Sequence, residues 1–126
     1  MALRKPTTRF LNLIDDAKLR IQEIPVEDVL YRFQKRALLN LVDVREYREF
    51  LGSHIENCRH ISRGVLERQI EVYFKELDTE IILYSQDGYR SALAADALQK
   101  MGYSNVYSMA GGYRAWKNLG GPICLA

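Results

Sequence analysis

The segment Ser85-Gln-Asp-Gly-Tyr-Arg-Ser91 concentrates the groups that could do chemistry. It follows Glu80-Ile-Ile-Leu-Tyr84, which reads as a buried strand, and precedes a helical pattern with Ala94, Ala97, Leu98 and Met101 on one face. A loop that carries a strand into a helix N-terminus turns successive backbone N–H groups into one concavity, where the helix adds about half a positive charge. Capture of a small anion is the chemistry such a cradle predicts. The amides of residues 86–91, starting at Gln86, would donate to it, Gly88 would permit a positive φ in the turn, and Arg90 and Ser91 would add side-chain donors. Asp87 works against this by bringing a negative charge to the rim. Tyr89 either lines the mouth of the site or makes a surface contact. On spacing alone, a plain β–α connection with Gly88 in a turn and Arg90 in solvent explains the loop equally well.

Other reactive residue types are sparse. Arg45 follows the end of a predicted strand on the side expected for the site; it either attracts an anionic ligand or closes an ion pair with Glu46, Glu49 or another carboxylate. Asp43-Val-Arg-Glu46 has the D-x-x-E spacing of a capping box, so Asp43 is expected to cap a short helix. His54 reads as a hydrogen-bonded structural histidine, Cys58 as a small buried residue, and Cys124 as a thiol near a mobile terminus with nothing to activate it. With Cys58 and Cys124 the only cysteines, no CxxC pair and no clustered histidine, a disulfide scaffold or a Cys/His zinc site is excluded, and no metal or organic cofactor is implied.

The elements that must position these residues alternate. Phe10, Leu13, Ile14, Ala17 and Ile21 predict an amphipathic helix ending before Pro25, and Val26, Val29, Leu30 and Phe33 predict a second. Leu38–Val44 reads as a strand buried on both faces, followed by a helix that Gly52 stops. Cys58–Ile61 reads as a short strand, and Leu66, Ile70, Tyr73 and Leu77 as one helical face. Asn105–Met109 reads as the last strand, Gly111-Gly112 as a turn near the loop, and Tyr113–Leu119 as a helix whose Tyr113 and Trp116 cover the sheet. This alternation predicts an α/β fold: a central parallel sheet of about five strands, helices on both faces, and ligand at the carboxyl ends of the strands.

Composition narrows the class. The chain has 126 residues, is 48% hydrophobic and carries a net charge of +2, which suits a globular domain that can bury a core without staples. Residues 1–37 hold eight basic and five acidic side chains, and the remainder ten and eleven, with the signs interleaved. That distribution excludes a phosphate-backbone footprint and so a nucleic-acid partner. No apolar run approaches the ~18 residues of a membrane span, and the start lacks a secretory signal, so a cytoplasmic protein is expected. The basic start would otherwise suit a mitochondrial presequence, but Asp15 and Asp16 follow closely.

In order and spacing, Asp43-Val-Arg-Glu, Ser53-His-Ile, Ser85-x-x-Gly-x-Arg-Ser-Ala, Gly102-Tyr-x-Asn-Val-Tyr and Ala110-Gly-Gly-Tyr-x-Ala-Trp116 resemble the single-domain rhodanese-like sulfurtransferases. The resemblance covers roughly residues 24–122 and implies an N-terminal helical extension over 1–23 and a rhodanese-like domain over 24–126. Family members begin the loop with a cysteine that takes sulfane sulfur from an anionic donor such as thiosulfate, holds it as a persulfide and passes it to a thiol or cyanide. Here Ser85 stands at that position. The matching arginine, Arg45, lies near the family's active-site loop. The loop from Ser85 to Arg90 has the sulfurtransferase length, whereas related cell-cycle phosphatases use a loop one residue longer.

A hydroxyl is not a thiol. A helix N-terminus and nearby cations bring a thiol, with its pKa near about 8.5, toward neutrality, but a serine needs an adjacent base and this loop has no histidine or lysine. Turnover through residue 85 is therefore expected to be absent. The serine was either introduced in place of cysteine or is native to a domain that has become a non-catalytic module for anion or protein binding. A long apolar stripe exposed on residues 10–21 would favour the module. A serine hydrolase is a poor match, since the loop is not G-x-S-x-G.

Overall fold

Alternation along one short strand organises the interior. The computed structural model describes residues 5–125; residues 1–4, where the basic start begins, and residue 126 lie outside the described residues. In strand β5 (Ile81–Tyr84) every residue is buried, as its unbroken apolar run requires. Ile81 and Leu83 enter a cluster with Leu66 and Ile70 of helix α4 (Leu66–Tyr73) and Ala94, Ala95 and Leu98 of α5 (Tyr89–Lys100). Ile82 and Tyr84 point the other way, to Val26 and Val29 of α2 (Val26–Gln34) and Tyr113 and Trp116 of α6 (Gly112–Asn118). Helices thus cover both faces.

The sheet is parallel throughout. Around β5 stand β1 (Gln22–Pro25), β6 (Val106–Ala110), β2 (Leu41–Asp43) and β4 (Arg59–His60), in the order β1-β6-β5-β2-β4. Helix α1 (Thr8–Lys18) packs on α5, burying Ile14 and Ala17. Thr7 caps it by accepting from the Phe10 amide, and Arg20 just beyond its end reaches Asp96 of α5 through two hydrogen bonds of 3.0 and 2.8 Å. Among the described residues no helix is long and apolar enough to cross a membrane.

Several local expectations are corrected. The first helix stops at Lys18 rather than near Pro25, because Gln22–Pro25 pairs with β6 as an edge strand. Asp43 does not cap a helix. Glu46 does, in a capping box with Glu49 at the start of α3 (Tyr47–Gly52). Leu38–Asn40 precede strand β2, and Leu77 lies beyond α4. Cys124 is not in a loose end: β7 (Ile123–Leu125) pairs antiparallel with β3 (Ser53–Ile55), which sets Cys124 opposite His54.

Candidate functional site

The loop between β5 and α5 is held from beneath by hydroxyls. Ser85, 1% exposed, accepts from the Ser91 amide at 3.1 Å and donates to Ser91 Oγ at 3.3 Å. Ser91 Oγ in turn lies 2.8 Å from Ser108 Oγ of β6. Gly88 sits at the N-terminus of α5 with φ of +90°, a conformation that disfavours a Cβ.

The carbonyls of the loop are tied back by α6. The Tyr113 amide donates to Ser85 O at 2.8 Å and the Arg114 amide to Gln86 O at 3.0 Å, which also satisfies two amides that the start of α6 would otherwise leave open. Gly112 makes this approach possible: at φ of +61°, a Cβ there would run into the Ser85 and Gln86 carbonyls. With the carbonyls so engaged, the amides of residues 86–90 have no acceptor among the described residues. Amides without acceptors at a helix N-terminus favour negative charge.

The charged side chains around the loop are already paired. Arg90 binds Glu49 through bonds of 2.6 and 3.0 Å, and that contact holds the Glu49 carboxyl below its usual value. Arg114 binds Asp87 at 2.6 Å, which neutralises the acidic residue at the rim. Arg45 is 3% exposed and bound to the fully buried Asp43. Its guanidinium also donates to Ser53 O at 2.7 Å and lies 4.4 Å from the Tyr113 ring centre. Burial opposes the Arg45 charge, but hydrogen bonding and attraction to Asp43 outweigh it and hold the group above its ordinary value. Tyr84 completes this cluster by donating to Asp43 at 2.7 Å while accepting from the Ile55 amide. Burial raises the Tyr84 phenol well above its usual range.

A cavity of about 590 Å³ opens over the loop. Ser85, Gln86, Asp87, Tyr89 and Arg90 line it from the loop, and Arg114 from α6. Lys5, Pro6 and Phe10 from the N-terminal segment line it as well. The structure therefore brings Ser85 through Ser91 together and leaves Arg45 off the cavity lining, in a cluster of its own with Asp43 and Ser53. Tyr89 is one of the lining residues. The wall from the N-terminal segment was not foreseen, and its one sequence signal is Phe10 on the apolar face of α1. Cys58 lies 3.4 Å from the Tyr84 hydroxyl, and burial raises its thiol to about 11, so it is an inert packing residue at neutral pH. His54 bonds Phe50 O at 2.9 Å, a structural role. Among the described residues no cluster of His, Cys, Asp or Glu is arranged to hold a metal ion.

Comparison with known proteins gives this arrangement a family. The YqhL protein of Bacillus subtilis, itself uncharacterized, is 39% identical over 84 residues, covering 66% of this chain and 62% of that protein. The chain thus spans less than two thirds of that relative. The thiosulfate sulfurtransferase GlpE of Vibrio cholerae is 32% identical over 90 residues, 71% of this chain and 81% of its own. A solved structure from Rhodopseudomonas palustris, of unknown function and described as a possible tyrosine phosphatase, superposes with a TM-score of 0.83 at 31% identity. That match covers 98% of this chain and 100% of the other. The rhodanese-like domain model matches residues 26–119, which contain the whole loop. Ser85 occupies the family's catalytic-cysteine position, and the chain belongs to the family of rhodanese-like domains.

Proposed function

We propose that residues 85–91 are a rhodanese-type cradle for a small anionic sulfur donor, with position 85 as the sulfur-carrying position. The supporting observation is the set of unpartnered amides at residues 86–90 beside a buried Ser85. Gln86, Asp87, Gly88, Tyr89, Arg90 and Ser91 shape that cradle, and Arg45 supports it from the neighbouring cluster it forms with Asp43. A cysteine at 85 would take the place of a hydroxyl that already accepts an N–H, an environment that favours a thiolate. That thiolate would attack the outer sulfur of thiosulfate. A sulfur–sulfur bond forms to residue 85, the donor's own sulfur–sulfur bond breaks, and sulfite leaves with the electron pair. A thiol or cyanide acceptor then takes the outer sulfur and restores the thiolate.

Ser85 stops this sequence at its first step. Among the described residues its hydroxyl is hydrogen-bonded to Ser91, and neither a histidine nor a lysine is hydrogen-bonded to it as a base. The chain as it stands binds the donor anion and does not turn it over. The protein works in the cytoplasm in this proposal, where acceptor thiols are kept reduced, with neither nucleic acid nor membrane as partner. Phosphatase activity is disfavoured by the short loop and the missing thiolate. The protein-binding module would be favoured by a free apolar stripe on α1. Instead Ile14 and Ala17 are buried and Phe10 meets Tyr89, leaving Leu13 and Leu19 exposed.

The test is thiosulfate-to-cyanide transfer by this chain and by a Ser85→Cys variant, side by side. Turnover by the variant alone is expected. Turnover by the serine form would overturn the account of Ser85, and its absence from both would favour the binding module.

A further inference from the structure

The cavity over the loop is much larger than an inorganic oxyanion needs. A pocket of about 590 Å³ is in the range of sites for organic ligands, roughly 300–1,000 Å³. Thiosulfate displaces only the volume of a few waters, at about 30 Å³ each. The extra space is walled by residues from outside the segment matched to the family, residues 26–119. Phe10 of α1 meets Tyr89 edge to face, with ring centres 5.9 Å apart at 89°. Pro6 and Lys5 extend that wall.

Charge is distributed to match. Arg90 and Arg114, which line the cavity, are neutralised by Glu49 and Asp87. Lys5 makes no ion pair with the described residues and adds positive charge at the rim of the cavity. The site thus joins polar amides at its floor to an apolar, partly aromatic wall, with Lys5 as an added cation.

We propose that the N-terminal segment makes this cavity selective for an organic anion, one charged sulfur-oxyanion group on an apolar body of about ring size, over inorganic thiosulfate. Phe10 and Tyr89 hold the body, Lys5 supplies long-range attraction, and the amides of residues 86–90 hold the charged group. The proposal rests on the reading of the loop as an anion cradle. Phe10 is its specificity-determining residue.

Binding to the intact serine chain tests this directly, because no turnover obscures the affinity. Thiosulfate and benzenethiosulfonate are titrated separately, following backbone amide resonances of residues 86–90 and Phe10. Benzenethiosulfonate is expected to bind about tenfold more tightly, the scale of one good aromatic contact. Phe10→Ala is expected to erase that preference, and Phe10→Leu to keep part of it. Equal affinity of the two anions for the unaltered chain overturns the proposal, whatever the variants do. So does a preference that survives Phe10→Ala. If neither anion shifts residues 86–90, the cradle reading fails and takes this inference with it.

Discussion

Two polar regions lie side by side at the carboxyl ends of β2 and β5, and they are built on opposite terms. At the end of β2, Asp43, Arg45 and Tyr84 form a buried cluster in which the carboxylate receives three donors: the Arg45 amide, its guanidinium and the Tyr84 hydroxyl. At the end of β5, the amides of residues 86–90 are left without acceptors among the described residues. The first region resembles a chemical site by composition and is a structural one by bonding. The second keeps its ionisable loop side chains, Arg90 and Asp87, in ion pairs, yet its backbone donors are open. Unmet hydrogen-bonding capacity marks the place for a ligand better than an inventory of charges does.

The contrast can be broken hardest at Asp43. Asp43→Ala strands Arg45 as a lone buried cation and should cost about 3–5 kcal/mol, read as a lower urea midpoint; a loss under about 1 kcal/mol would mean the cluster is not structural. Gly112→Ala should cost roughly 2 kcal/mol, since its Cβ would lie 2.7 Å from Gln86 O at a φ that disfavours it. It should also weaken thiosulfate binding by pushing the loop off α6, whereas unchanged binding with reduced stability would separate the grip of α6 from the cradle. In a Ser85→Cys background, Ser108→Ala removes the hydroxyl that holds Ser91. A rise in the thiol pKa within about one unit is expected, followed by thiolate absorbance against pH, and no change would exclude Ser108 as a positioning residue.

The smallest effect is on pH dependence. Arg90 depresses the Glu49 carboxyl below its ordinary 4.5, so this pair stabilises the fold above that pH and its contribution disappears as pH falls through the lower folded value. Both side chains are about one-third exposed, and solvent screening limits the term to a few tenths of a kcal/mol. Urea midpoints for the unaltered chain and Glu49→Gln should differ at pH 7 and converge once the pH has fallen below the depressed folded value of Glu49. A constant difference would assign the effect to the capping box of α3 instead.

What was legible in the sequence was the part with local causes. Ile81–Tyr84 announces a strand buried on both sides, and the glycine after it announces the turn into α5. The family motifs located Ser85 without any structure. Edge and ribbon strands were hidden: Gln22–Pro25 has one half-buried residue, Ile24, and continued an apparent helical period. Ser53–Ile55 and Ile123–Leu125 are too short to declare themselves and exist through each other. The ion pairs were hidden for a related reason. Arg90 finds Glu49 41 residues away, and Arg114 finds Asp87 27 residues away, separations at which spacing carries no signal. Asp43 looked like a cap because the motif is local, but its carboxylate is held by the neighbouring Arg45 and by Tyr84, which arrives from 41 residues away.

The strand order has a consequence for how copies of this protein meet. An open sheet ends in two rows of unpaired backbone groups, which another chain can extend into a shared ladder. Here one border is β4, two residues long and headed by Arg59, and the other is β1, four residues long and closed by Pro25, which has no N–H to offer. Brevity, a cation and a proline at these borders guard against strand-by-strand aggregation. They leave the apolar β5 and β6 in the interior, where no neighbour can reach them.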